Sequence, residues 1–299
     1  MDAMYNWGLD LIRTLQLIRT PFLDIVFKAI TVLGNDMFYM LMLPVLYWCV
    51  DKKQSLRLYL LFMLSSWVNS VTKDYLNHPR PYHLDSGVKV GTTGGPGLPS
   101  GHAQGTLVLW GYLSLWARRR WFTIFSIALI LLVALSRLYL GVHFPTDILG
   151  GWFLGLLLLL PFNAVVDRLE PKVLALSFGW KLALATAVPA LLALVVPSRW
   201  SVSPMGITAG FALAVMLETK HLNVRMPGSI FQGVARYFIG ILVLFVFFFA
   251  TRRFMPKDSS FYLLMVFAQY YVMGLWVGVA APWVFRKLGL EAPAEGGGQ

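Results

Sequence analysis

The chain has 299 residues, 58% of them hydrophobic and 13% charged, and its mean hydropathy of +0.66 excludes a soluble globule and indicates a polytopic membrane protein. The net charge of +11 falls mostly in short connections between apolar runs. That placement suits anionic headgroups and helix orientation, and no Gly-rich, aromatic-spaced basic surface points to nucleic acid. The one cysteine, Cys49, excludes an internal disulfide.

From Met4 to Ile18, residues Trp7, Leu11, Leu15 and Ile18 recur near helical spacing with Asp10, Arg13 and Gln16 between them. This predicts an amphipathic helix lying in the membrane interface. Nothing here has the charged start, short apolar core and small-residue site of a removable signal, so the first spanning helix is expected to direct insertion. Pro21 opens a second short helix, Gly34-Asn35 breaks it, and Asp36 reads as the cap of the next. Spans are expected at Asp36 to Val50 and at Leu56 to Asn77. On the second, Ser66, Asn69, Ser70 and Lys73 share a face, which predicts a polar stripe turned away from lipid. The connection from His78 to Leu98 holds Pro79, Pro81, Pro96 and five glycines. Such a loop is too irregular for hydrocarbon and belongs in water or over a cavity. Further spans are expected at Gly101 to Ala117, Trp121 to Tyr139 and Asp147 to Val166. Four more follow at Leu182 to Val196, Met205 to Leu217, Val234 to Ala250 and Phe261 to Phe285. No internal repeat is evident. The expected division is N-terminal interfacial helices (1–35), a core carrying the polar motifs (36–166), additional transmembrane helices with no role legible in the sequence (167–290), and a Gly-rich disordered tail (291–299).

In this arrangement Lys52, Lys53, Arg57, Arg118 to Arg120, Arg168, Lys172, Lys220, Arg225, Arg286 and Lys287 fall on one side. By the positive-inside rule that side is cytoplasmic. The His78 to Leu98 loop and the turn at His143 then face outward.

Three segments carry chemistry. The stretch from Ser136 to Asp147 puts Arg137, His143 and Asp147 where two helices meet water. A carboxylate four residues after a histidine can hold one imidazole nitrogen and leave the other free to attack. Taken alone, the same stretch also reads as a helix connection with an Arg at one end and an Asp capping the next helix. Lys73 and Arg80 add a point charge and a planar fork to the fork of Arg137, giving three cations for one anion. Ser100 and Gly101 open a helix, where unpaired amides and the helix dipole attract an oxyanion. His143 is assigned as nucleophile because Asp147 accompanies it, and His102 as general acid and base. Cations so placed suit the charge that spreads over a transferring phosphoryl group. No ligand cluster at metal spacing is present, so no metal and no cofactor is expected. Glu218, His221, Tyr82 and Tyr139 read as interfacial groups, whereas His78 and His83 fit a pocket wall or a surface loop equally well.

The motifs Lys73-x6-Arg80-Pro81, Pro99-Ser100-Gly101-His102 and Ser136-Arg137-x5-His143-x3-Asp147 resemble, in order, the three signatures of the type 2 phosphatidic acid phosphatase superfamily. The resemblance covers roughly residues 36–166. It implies an all-α polytopic transmembrane bundle with a phosphatase-type six-helix-like core, followed by additional C-terminal transmembrane helices. It also implies an integral protein of the cell (inner) membrane that hydrolyses a lipid phosphate or diphosphate at the outer, periplasmic or extracellular, side through a phosphohistidine, without metal. In the family, Lys73, Arg80, Ser100, Gly101 and Arg137 would bind phosphate, and His143, His102 and Asp147 would carry the chemistry. A soluble phosphate ester as substrate, as in glucose-6-phosphatase, a haloperoxidase, or a lipid or phosphate transporter using the same anion site are the other readings.

Overall fold

The computed structural model describes residues 2–226 and 228–292, and all regular secondary structure among them is helical. In chain order the helices are α1 (Asp2–Gln16), α2 (Pro21–Val32), α3 (Asp36–Cys49), α4 (Lys52–Leu76), α5 (Pro81–Leu84), α6 (Gly101–Ala117), α7 (Arg120–Tyr139) and α8 (Pro145–Ala175). Then come α9 (Phe178–Val195), α10 (Arg199–Leu217), α11 (Ile230–Phe254), α12 (Tyr262–Leu275) and α13 (Ala281–Lys287). A 3-10 turn covers Ser86–Val88, and π turns cover Glu218–Leu222 and Trp276–Ala280. The disordered tail expected from residue 291 lies outside the described residues from 293 onward.

Among the described residues, six helices or joined helices are long and apolar enough to span a bilayer: α7, α8, α9, α10 with its π turn, α11, and α12 through α13. The α2–α3 pair, bent by 45°, makes a seventh if it counts as one span. Helices α4 and α6, both read as spans from the sequence, do not meet that measure. Helix α4 carries its polar stripe, and α6 has 17 residues, a length of about 25 Å.

The chain divides into two compact units. One comprises residues up to Tyr39 with Leu64–Asp167, and the other Met40–Met63 with the chain from Arg168 onward. In the second unit α10 and α12 touch backbone to backbone at Gly206, Gly210 and Gly274, where any side chain would collide with the facing helix. Trp48 donates its indole N–H to the Val277 carbonyl at 2.9 Å and packs edge-on against Phe285. Glu218, read from the sequence as an interfacial helix-end group, is instead buried in the π turn. It pairs with Lys52 Nζ at 2.6 Å and accepts from the Val224 amide at 2.7 Å. Burying a carboxylate requires such partners, and they come from segments far apart in the sequence.

In the first unit the side of α1 that meets the protein adjoins the apolar stripe read from the sequence. Leu9 and Ile12 are buried against Val88 and Phe144, with Tyr5 beside them. Trp7 and Ile18 are exposed. Gln16 donates to the carbonyls of Val88 (2.9 Å) and Tyr139 (2.8 Å), and Arg13 pairs with Asp85 at 2.7 Å. Helix α1 thereby fastens the loop after α5 to the turn between α7 and α8. The cap of α3 is Asn35, whose Oδ1 accepts from the Phe38 amide at 2.9 Å, and not Asp36, which is already helical. Tyr139 is likewise buried, stacked on Phe27 and donating to Asp24 at 2.9 Å.

Candidate active site

Every residue singled out for chemistry lies in the first unit. Helix α7 ends at Tyr139, and Gly141 at φ +67° turns the chain. This is a region that only glycine enters readily. A Cβ there would stand 1.9 Å from the Val88 carbonyl oxygen. The turn delivers His143, which is 2% exposed, in front of α8, and Asp147 in the first turn of that helix. Nδ1 of His143 stands 3.1 Å from Asp147 Oδ2, which also accepts the Phe144 amide at 2.9 Å. With the imidazole proton on Nδ1 and donated to the carboxylate, Nε2 carries the lone pair.

That Nε2 lies 3.1 Å from Nη1 of Arg80. Arg80 is 2% exposed, and all its remaining donors are engaged by backbone carbonyls. Nε meets Gly95 (2.7 Å), Nη1 meets Val142 (2.8 Å), and Nη2 meets Gly94 and Pro96 (both 2.9 Å). Lys73 Nζ, from the end of α4, donates to Pro96 (2.9 Å) and Gly97 (3.1 Å). The two cations thus converge on one oxygen, the Pro96 carbonyl. Arg137 reaches Thr31 Oγ1 of α2 at 2.6 Å, and its buried Nε has no hydrogen-bond partner among the described residues.

The middle motif forms the start of α6. Ser100 is its N-cap, with Oγ accepting from the Ala103 amide at 3.4 Å while the Ser100 amide donates to the Asp147 carbonyl at 2.8 Å. Helix α8 comes this close because residue 151 is glycine, where a Cβ would lie 2.6 Å from the Ser100 carbonyl oxygen. The Gly101 and His102 amides make no hydrogen bond among the described residues, as first-turn amides commonly do not. Asn69 on α4 braces this turn through Pro99 O (3.4 Å) and Gln104 Oε1 (2.7 Å), and Gln104 in turn donates to Ser65 Oγ at 2.8 Å. Of the stripe predicted on α4, Asn69 and Ser70 are buried and Ser66 and Lys73 half-buried, and Ser65, not predicted, is buried beside them.

His143 is held well below its usual pKa, first by burial and then by the charges of Arg80, Arg137, Lys73 and His102. Both effects oppose a further positive charge. A neutral imidazole with one nitrogen fixed by a carboxylate, facing three cations, can attack the phosphorus of an anionic ester. Among the described residues, no group of three or more His, Cys, Asp or Glu could hold a metal ion.

The sequence reading did not find Thr31, Gln16 or the packing of α1 beneath the turn. Single hydroxyls and amides on amphipathic helices carry no motif, and only the fold brings them near. His83, left open earlier, accepts the Arg80 amide at 3.3 Å, and Tyr82 donates to the Thr93 carbonyl at 2.6 Å. Both shape the loop that holds Arg80.

The model of the PAP2 superfamily matches residues 54–171, and that of the PAP2 superfamily phosphatase transmembrane extension matches residues 202–294. Sphingosine-1-phosphate phosphatase 1 of Mus musculus is 31% identical over 147 residues, covering 47% of this chain and 34% of that protein. Phosphatidylglycerophosphatase B of Bacillus subtilis (strain 168) is 30% identical over 172 residues, covering 52% of this chain and 83% of that protein. The chain spans less than half the length of the sphingosine-1-phosphate phosphatases it matches. A crystal structure of the PAP2 type phosphatidylglycerolphosphate phosphatase from Bacillus subtilis aligns with a TM-score of 0.49 at 26% identity, over 56% of this chain and 88% of that one. The second family model falls on helices to which the sequence alone gave no role. With three polar motifs gathered in one unit and this extent of likeness to phosphatidylglycerophosphatase B, the chain is a multi-span membrane protein that belongs to the PAP2 superfamily.

Proposed function

We propose that the protein hydrolyses the phosphate monoester or diphosphate of a lipid through a covalent phosphohistidine on His143, without metal, from the outer side of the cell membrane. The observation that carries this is the pairing of His143 with Asp147 through Nδ1 while Nε2 faces Arg80. In the first step Nε2 attacks phosphorus, the P–O bond to the lipid breaks, and His102 gives its proton to the departing alkoxide. Asp147 balances the charge that the imidazole gains as the P–N bond forms. In the second step His102 takes a proton from water, the hydroxide attacks the phosphohistidine, and inorganic phosphate leaves with His143 neutral again.

Lys73, Arg80 and Arg137, with the Ser100, Gly101 and His102 turn, hold the phosphoryl oxygens. The Gly94 to Gly97 carbonyls accept from Lys73 and Arg80, and substrate oxygens compete for those donors. A lipid substrate is favoured by the likeness to proteins named for sphingosine 1-phosphate and phosphatidylglycerophosphate. We assign the core to residues 36–166 and leave 167–290 as additional transmembrane helices without an assigned role.

The test is phosphate release from purified protein in detergent with chelator present. The panel comprises phosphatidate, phosphatidylglycerophosphate, a sphingoid phosphate, a polyprenyl diphosphate and glucose 6-phosphate. Turnover of the lipids that His143→Ala abolishes supports the proposal. Release from glucose 6-phosphate alone, or activity that returns only with a divalent ion, refutes it.

A further inference from the structure

We infer that His78, backed by Tyr5, is a positioning residue for the reaction proposed above, holding the second oxygen of Asp147 so that the first stays aligned on His143. The inference rests on that reading of function. Oδ2 of Asp147 has two donors, but Oδ1 is buried and makes no hydrogen bond. Nδ1 of His78 is also buried without a hydrogen bond, and these two atoms stand 3.4 Å apart. A buried carboxylate oxygen left unmatched costs free energy, and a buried imidazole N–H does too. The Pro79 carbonyl is a second acceptor near the His78 imidazole, but only a proton on Nδ1 shared with Oδ1 would satisfy both buried atoms.

The other side of the imidazole fixes the tautomer. Tyr5 Oη lies 3.1 Å from His78 Nε2. A hydroxyl donating there leaves the proton of a neutral ring on Nδ1, the nitrogen 3.4 Å from Asp147 Oδ1. Burial lowers the His78 pKa and so favours that neutral ring. The resulting order is Tyr5 O–H to His78 Nε2, His78 Nδ1–H to Asp147 Oδ1, and His143 Nδ1–H to Asp147 Oδ2. Helix α1 is thereby tied to the nucleophile through two side chains. No step of the reaction moves a proton along this order. Its effect is to stop the carboxylate from rotating when the imidazole of His143 gains charge.

A packing role is the competing account, since the His78 ring lies against both Tyr5 and Phe144. The His78 main chain also accepts the Gly97 amide at 2.7 Å, a bond that side-chain changes leave in place. His78→Phe keeps a ring and removes the donor. His78→Asn removes the ring but sets an amide donor at the level of Nδ1. Tyr5→Phe removes only the hydroxyl.

The variants are compared with wild type for kcat and KM on the lipid phosphate that wild type turns over best, with thermal unfolding in detergent as the folding check. His78→Phe is expected to lose about 10- to 100-fold in kcat with little change in KM. His78→Asn should recover most of that loss, and Tyr5→Phe should fall between His78→Phe and wild type. Tyr5→Phe added to His78→Phe should cost nothing further, because its effect passes through His78. Wild-type kcat in His78→Phe, or equal losses in His78→Phe and His78→Asn, overturns the inference while leaving the phosphatase reading intact. A wild type that releases no phosphate from any lipid removes that reading and the inference with it.

Discussion

Nη1 of Arg80 stands 3.1 Å from Nε2 of His143, and the same guanidinium binds four backbone carbonyls. The residue that would grip a phosphoryl oxygen therefore already fixes the nitrogen that would attack it. A lysine has three donors on a flexible stem and cannot reproduce the fork. Arg80→Lys is expected to lower kcat by about 10²- to 10³-fold, the usual cost of removing a preorganised donor. Steady-state kinetics on the best lipid phosphate measure it, and a loss under threefold would show that the fork is dispensable.

The turn before His143 depends on Gly141. An alanine at φ +67° sits where L side chains are strained by about 1–2 kcal/mol, and its Cβ would press on the Val88 carbonyl at 1.9 Å. Gly141→Ala should therefore lose more than 2 kcal/mol of stability, on the order of the backbone strain plus the clash, together with most activity. Gly94→Ala is the control, since nothing lies within 4 Å of a Cβ there. Thermal unfolding in detergent that is equal for the two variants would contradict this account of the turn.

The acid side of stability has a sign set by His143. In the unfolded chain this imidazole titrates near its ordinary value of 6.5, whereas burial and the nearby cations hold it neutral well below that in the fold. Below pH 6.5 the unfolded state therefore binds a proton that the folded state refuses. The contribution is complete above 6.5 and is lost as pH falls, at up to about 1.4 kcal/mol per pH unit. His143→Asn, which cannot take up that proton, should show a flatter decline of unfolding free energy between pH 6.5 and 5. Parallel curves for the two proteins would show that His143 is not held neutral.

The polar motifs were legible because each packs several specified residues into one short segment, and because a helix start, a helix end and a Pro-rich loop are local features. The all-helical character followed from apolar runs too long for anything else. What stayed hidden lies between segments. The stripe of α1 bearing Leu9 and Ile12 and the stripe bearing Trp7 and Leu11 are both apolar, so periodicity could not say which one meets the protein. Glu218 read as interfacial because its partner Lys52 is 166 positions away. His78 read equally well as loop or pocket, because only the fold brings it to Asp147.

Sidedness rests on charge counting, and the geometry offers a clean way to test it. If α6 and α7 both cross, Arg118 to Arg120 lie on the opposite side from His102 and His143, and the positive-inside rule predicts that the arginines are cytoplasmic. Gly94 is exposed with open space around it, so a cysteine fits there without disturbing the loop. In a Cys49→Ser background, Gly94→Cys is expected to react with an impermeant maleimide in intact cells. Arg119→Cys, at the exposed connection between α6 and α7, should react only after permeabilisation. Labelling of both positions from outside would mean that α6 or α7 does not cross. The reverse labelling would place the site on the cytoplasmic face and remove outer-leaflet lipids as substrates, while the chemistry proposed for His143 would stand unchanged.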